Sequence, residues 1–260
     1  MRLKRILASA AEISPVRAYQ LLRQPWRVSM ALTGSPAQSD DEALGCLFPD
    51  LRQETLHVMR GDFNSNHAFF LEINRKMVDV RRRRVRLDPW KEFLYLAIRI
   101  AHPRIVVETG VFDGESSAVI LQALADSGHG ELISIDLPAL ETIAGSTHSM
   151  LESCLPPGFQ PGWVIPDRLR GRHRLELGDS REILPKVFER HPTVDIFFHD
   201  SLHTFEHQLY EYSTAWEYLP PGGLLLSDDI LWTSAFHRFC RAQRRSYVRV
   251  GNGVFGAVRK

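Results

Sequence analysis

The chain has 260 residues, 44% hydrophobic and 24% charged, with 32 basic residues against 31 acidic ones for a net charge of +1. This composition fits one sizeable domain with an appendage, and it excludes a disordered polymer or a chain built mainly to hold a polyanion. Cys46, Cys154 and Cys240 are scattered without a C-x-x-C pair, the apolar run behind the basic start stops at Glu12, and no 18-residue apolar span occurs. These features predict a cytoplasmic protein with reduced thiols and no membrane span.

Residues 1–87 read as a helical N-terminal extension, with apolar residues at helical spacing over 6–22 and 51–84 and a loop over 33–41 between them. The extension is read either as a lid or homodimer arm that shapes an acceptor pocket, or as a packing extension. The run Arg81 to Arg84 suits nucleic acid or anionic lipid, but acids at Asp79, Asp88 and Glu92 favour a solvated helix face, and no nucleic-acid partner is expected.

Residues 88–260 read as a second unit. Asp88-Pro-Trp starts a helix as N-cap and first-turn proline, and the helix ends at His102-Pro103. Strands at 104–109, 131–136, 173–178, 193–200 and 223–228 then alternate with helices at 115–126, 181–190, 203–218 and 232–243. Alternation of this kind predicts right-handed crossovers and a doubly wound, mostly parallel sheet of α/β type. Strands at 247–250 and 254–258, joined by Gly251-Asn-Gly253, add an antiparallel edge and make seven. The connection 137–172 is too long for an ordinary loop and is expected to cover an acceptor, with Trp163, Trp232 and Tyr212 as pocket walls or core.

Ligands of such sheets sit beyond the carboxyl ends of the strands, and those ends are acidic: Glu108, Asp136, Asp179, Asp200 and the pair Asp228-Asp229. Acids crowded on one rim call for something polar and partly cationic. Gly110-Val-Phe-Asp-Gly114 lacks the G-x-G-x-x-G of a dinucleotide fold, and Glu108 and Asp113 would repel a pyrophosphate. A ribose-bearing cation without phosphate fits better than a nicotinamide dinucleotide, although a Rossmann-type oxidoreductase stays as an alternative. Asp200, Asp228 and Asp229 end neighbouring strands, and three carboxylates there suit a divalent cation such as Mg²⁺, or else position substrate hydroxyls without metal.

The segment Glu108-Thr-Gly-Val-Phe-Asp-Gly-Glu-Ser116 resembles motif I of the class I S-adenosylmethionine-dependent methyltransferases, in the version of catechol O-methyltransferase and the macrocin-type bacterial enzymes. The resemblance extends over 132–136, 177–180, 197–203 and 222–229, within residues 88–260. It implies a metal-assisted O-methyltransferase acting on a hydroxylated sugar or small natural product, or a non-catalytic protein of the same fold. It implies donor contacts from Glu108, Thr109, Gly110, Gly114, Ser116, Ser117, Asp136, Gly178, Asp179, Ser180 and Asp200, with Asp136 on the ribose and Asp179 with Ser180 at the adenine. Asp136 and Asp179 also read as helix N-caps. It implies that Asp200, Asp228 and Asp229 hold the metal, and that His203, with Asp200, is catalytic. His199 and His207 compete for the role of base, and His203 with His207 also reads as a zinc pair.

Overall fold

The structure is a computed structural model that describes residues 37–85, 88–138 and 154–260. The expected helix at 6–22 and most of the first half of the long connection lie outside the described residues. Helices α1 (Asp40–Leu47), α2 (Gln53–Ser65), α3 (His67–Arg81) and α4 (Trp90–Ala101) precede the first strand. Then come β1 (Ile105–Thr109), α5 (Glu115–Asp126), β2 (Glu131–Asp136), a 3-10 turn at Asp167–Arg172 and β3 (His173–Leu177). The chain continues with α6 (Ser180–Arg190), β4 (Ile196–His199), α7 (Phe205–Tyr218), β5 (Leu224–Ser227), α8 (Ala235–Ala242), β6 (Tyr247–Val250) and β7 (Phe255–Arg259).

The seven strands form one sheet in the order β3-β2-β1-β4-β5-β7-β6. β1 to β5 run parallel, and β7 joins β5 and β6 antiparallel. Successive residues of a strand face opposite layers. Val106, Ile196, Phe198 and Leu226 join the core under α4 and α5, whereas Val107, Phe197 and Leu225 join the core under α6, α7 and α8. Central parallel strands buried on both faces are largely apolar, and the polar residues of β1, β4 and β5 fall at their carboxyl ends. Among the described residues no helix is long and apolar enough to cross a membrane.

Four local readings differ. Residues 40–47 are helical because Ser39 accepts from the Glu42 amide while Glu42 accepts from the Ser39 amide, a capping box already present in the sequence as S-x-x-E. The stretch 51–84 divides at Asn66, whose side chain takes the Phe69 amide and starts α3 afresh. Asp88 does not cap α4 through its side chain; its carboxylate pairs with Lys91 at 3.4 Å. The connection 137–172 also differs in character where it is described, since Val164, Ile165 and Leu169 are buried in the α4–α5 core.

Phe255 ties the antiparallel edge to this core. Its fully buried ring stacks on Trp90 at 4.9 Å and meets Phe93 and Phe198 at 5.8 Å each. Phe255→Ala is expected to cost about 3–5 kcal/mol of stability in urea unfolding, and a loss below about 1 kcal/mol would show that β7 is held by its ladder alone.

Candidate functional site

The parallel strands stop at one edge. Asp200 N donates to Thr109 O at 2.8 Å, Gly178 N to Asp136 O at 2.9 Å and Asp228 N to His199 O at 3.0 Å, so the residues after β4, β3 and β5 continue the ladder side by side. The turn after β1 lies among them. Gly110 has φ of 83°, and a Cβ there would stand 2.1 Å from Asp200 O; Gly114 has φ of 95°, and its Cβ would stand 2.6 Å from Gly162 Cα. Neither position admits a side chain.

Below and above this turn stand two carboxylates. Glu108 is fully buried and accepts from Ser116 Oγ at 2.8 Å, Ser117 Oγ at 2.6 Å and Ser134 Oγ at 2.8 Å. Asp136 accepts from the Val111 and Phe112 amides through Oδ2, at 3.0 and 2.7 Å, and from the Leu137 amide through Oδ1, at 2.7 Å. A carboxylate offers about four acceptor positions, so roughly one remains for a ligand hydroxyl.

A cavity of about 660 Å³ opens over the edge. Of the residues expected at a donor, Gly110, Asp136, Gly178, Asp179, Ser180 and Asp200 line it. Glu108, Thr109, Ser116 and Ser117 do not; they are buried and bonded to one another or to Glu211. Gly114 lies behind the turn against Gly162. Asp179 caps α6 by accepting from the Arg181 amide at 2.8 Å. Of the three aromatic residues, Tyr212 is fully buried, Trp163 gives its Nε1–H to Asp113 at 2.8 Å, and Trp232 is 55% exposed with its ring 6.0 Å from that of His203.

The histidines separate by partner. Glu211, fully buried on α7, accepts from Thr109 Oγ1 and pairs with His199 Nδ1, both at 2.6 Å. It also pairs with His207 Nε2 at 2.8 Å and takes Ser201 Oγ at 3.0 Å. His207 is completed by Ser180 Oγ at 3.1 Å, so it is no zinc partner of His203. His203 differs: its Nε2 has no hydrogen-bond partner among the described residues and stands 4.0 Å from both Asp200 Oδ1 and Asp229 Oδ2. The expected cation site is not formed as the residues stand. Among the described residues no group of three or more His, Cys, Asp or Glu side chains could hold a metal ion, and an imidazole lies beside Asp200 and Asp229.

A family model described as a methyltransferase domain matches residues 107–230, from β1 to the end of the site. Over those residues the chain carries a methyltransferase domain, and its seven-stranded sheet has the class I methyltransferase fold. A candidate caffeoyl-CoA O-methyltransferase from Staphylococcus aureus superposes with a TM-score of 0.52 at 14% identity, over 81% of this chain and 100% of its own. The O-methyltransferase TomG of Streptomyces achromogenes, involved in tomaymycin synthesis and solved with S-adenosylmethionine, gives 0.50 at 17%, over 80% and 97%. An O-methyltransferase from Bacillus cereus gives 0.49 at 17%, over 85% and 96%. At these identities the first two establish the fold alone. No curated protein matches the chain significantly.

Electrostatics mark the same edge. Burial pushes the Glu108 carboxyl up to about 7 against its three serine donors, and burial with Asp229 pushes Asp228 up to about 7. Asp200 is held well above the usual range by burial, Asp228, Glu108 and Asp229. Burial would raise Glu211 too, but the bonds from His199 and His207 overturn this and hold it far below. Burial, then His199, lower His203 to about 4, so its imidazole is neutral at neutral pH.

An acid with a higher pKa folded than unfolded binds more protons when folded, so raising the pH past its unfolded value near 4.5 towards 7 destabilises the fold. Glu108 alone accounts for a loss on the order of 3 kcal/mol over that window. Comparing urea midpoints at pH 5 and pH 8, Glu108→Gln is expected to flatten the decline seen in the parent chain. An unchanged slope would mean that Glu108 ionises normally. Gly110→Ala is expected to abolish donor binding in calorimetry, since either the turn or the Asp200 carbonyl has to move; retained affinity would contradict the close approach.

Proposed function

We propose that this methyltransferase takes the methyl group of S-adenosylmethionine and places it on a hydroxyl oxygen of a small acceptor, read as a sugar or small natural product. The observation that carries the reading is the 660 Å³ cavity, with Gly110, Asp136, Asp179 and Asp200 from four strand ends on one wall. The fold shared with TomG, which was solved with this donor, supports it. Gly110 admits the donor's amino-acid part, the remaining acceptor position of Asp136 takes a ribose hydroxyl, and Asp179 with Ser180 borders the adenine. Glu108, Thr109, Gly114, Ser116 and Ser117 act through the turn that they hold, and Gly178 opens the wall beside Asp179.

In the transfer the sulfonium C–S bond breaks with its electron pair staying on sulfur, and a new C–O bond forms to the acceptor. The hydroxyl proton goes to His203 Nε2, which is neutral and unpartnered, and Asp200 and Asp229 at 4.0 Å stabilise the imidazolium as it forms. The cation expected from the sequence belongs to the reading only as an addition. Asp228 and Asp229 raise the proton affinity of Asp200, and Asp229 that of Asp228, which a Mg²⁺ ion would relieve, but among the described residues no three donors converge and no step is routed through it. Activity that survives chelation removes the ion and leaves the transfer. Free thiols at Cys46, Cys154 and Cys240 support a cytoplasmic setting.

Labelled donor should pass its methyl to a member of a hydroxylated-compound library. His203→Ala should lower kcat by about 10²–10⁴-fold while donor affinity stays within about twofold. A parent chain that binds no donor ends the proposal, and a variant with full kcat removes His203 as base.

A further inference from the structure

Arg81 closes α3 and reaches the turn after β1. Its Nε and Nη2 stand 3.0 and 2.7 Å from the Asp113 carboxylate, Nη2 also meets Cys154 O at 2.8 Å, and Cζ lies 4.9 Å from the centre of the Phe112 ring. Asp113, only 2% exposed, further accepts from Trp163 Nε1 at 2.8 Å and Arg83 Nη2 at 3.3 Å. Arg83 continues to Glu115 at 2.9 Å. Arg81 and Arg83 of the arginine run are therefore committed to acids at the turn and at the start of α5.

Phe112 is the residue these contacts surround. It lines the cavity, is 38% exposed, and has φ of 51°. A bulky residue rarely adopts that backbone conformation unless its neighbours over-determine it. Here Asp136 takes its amide at 2.7 Å, Gly162 donates to its carbonyl at 2.8 Å, and Arg81 covers its ring. A guanidinium over an aromatic face is attractive, and a forked bond to a buried carboxylate fixes the guanidinium plane in turn.

We infer that Arg81 is a positioning residue for donor binding, holding the Phe112 ring in place as a wall of the cavity from a helix outside the matched segment 107–230. The inference rests on the reading that the cavity takes S-adenosylmethionine. The helical extension thereby completes the donor side of the site, and the effect runs through Phe112.

Calorimetric titration with S-adenosylmethionine tests this on the full chain, the variants Arg81→Ala, Arg81→Lys and Phe112→Ala, and the Arg81→Ala/Phe112→Ala double variant. Arg81→Ala is expected to weaken the donor about tenfold, while kcat at saturating donor stays within about twofold and added guanidinium restores part of the affinity. In the Phe112→Ala background the same change should add less than about twofold, because its route is already gone. Arg81→Lys keeps the charge without the fork, and should melt like the parent yet bind the donor about fivefold more weakly; it decides the matter if the alanine variant does not fold. Donor affinity within about twofold of the parent in Arg81→Lys, or losses that multiply in the double variant, overturn the inference. A parent chain that binds no S-adenosylmethionine overturns the donor reading itself and the inference with it.

Discussion

Glu108 stands at the end of β1 with no exposure and three serine hydroxyls on its two oxygens, from α5 on one side and β2 on the other. A buried carboxyl is tolerable only when its acceptors are used, and here using them fastens the start of α5 and the neighbouring strand to one point. The turn between β1 and α5 is consequently closed from below. Asp136 closes it from above by taking two of its amides. The cavity inherits its shape from that clamp, since Gly110 passes against the Asp200 carbonyl with no room for a Cβ.

The same turn is braced from outside by chain segments far away in sequence. Gly162 N donates to Phe112 O and Val164 N to Asp113 O, at 2.8 and 3.0 Å, while Arg81 and Arg83 approach from the end of α3. Asp113 gathers both sets of contacts. Its near-complete burial follows from the number of donors on it: two guanidinium groups and an indole N–H leave no lone pair in need of water.

On the other side of the cavity, a single buried acid sorts three histidines. Glu211 draws on His199 and His207 together with Thr109 and Ser201, which ties α7 to the ends of β1 and β4. Such a charge is expensive to bury, and it persists because every direction around it holds a donor. His203 lies outside this network and meets Asp200 and Asp229 instead, so the imidazole best suited to receive a proton is selected by what its neighbours are bound to. Asp200 after β4 and Asp228 after β5 keep their protons more tightly than isolated carboxyls, a direct result of burial and like charge.

Much of the fold was legible in the chain itself, because it rests on local periodicity. Buried strands such as Ile196–His199 and Leu224–Ser227 are apolar up to their last residue, helices between them are amphipathic, and glycines mark the turn after β1. The position of Asp136, Asp179 and Asp200 at one edge also followed, since parallel strands end together. Two local signals were present and overlooked: the Ser39–Glu42 capping box, and Glu211 one helical turn beyond His207. What the sequence could not decide was which side chains would meet across long separations. Arg81 finds Asp113 32 positions away, and the Asp88–Lys91 pair replaces an expected cap. Likewise three acids that converge along the chain's topology are not thereby a metal site, because donor geometry depends on side-chain packing at a scale of an ångström, which only the assembled layers determine.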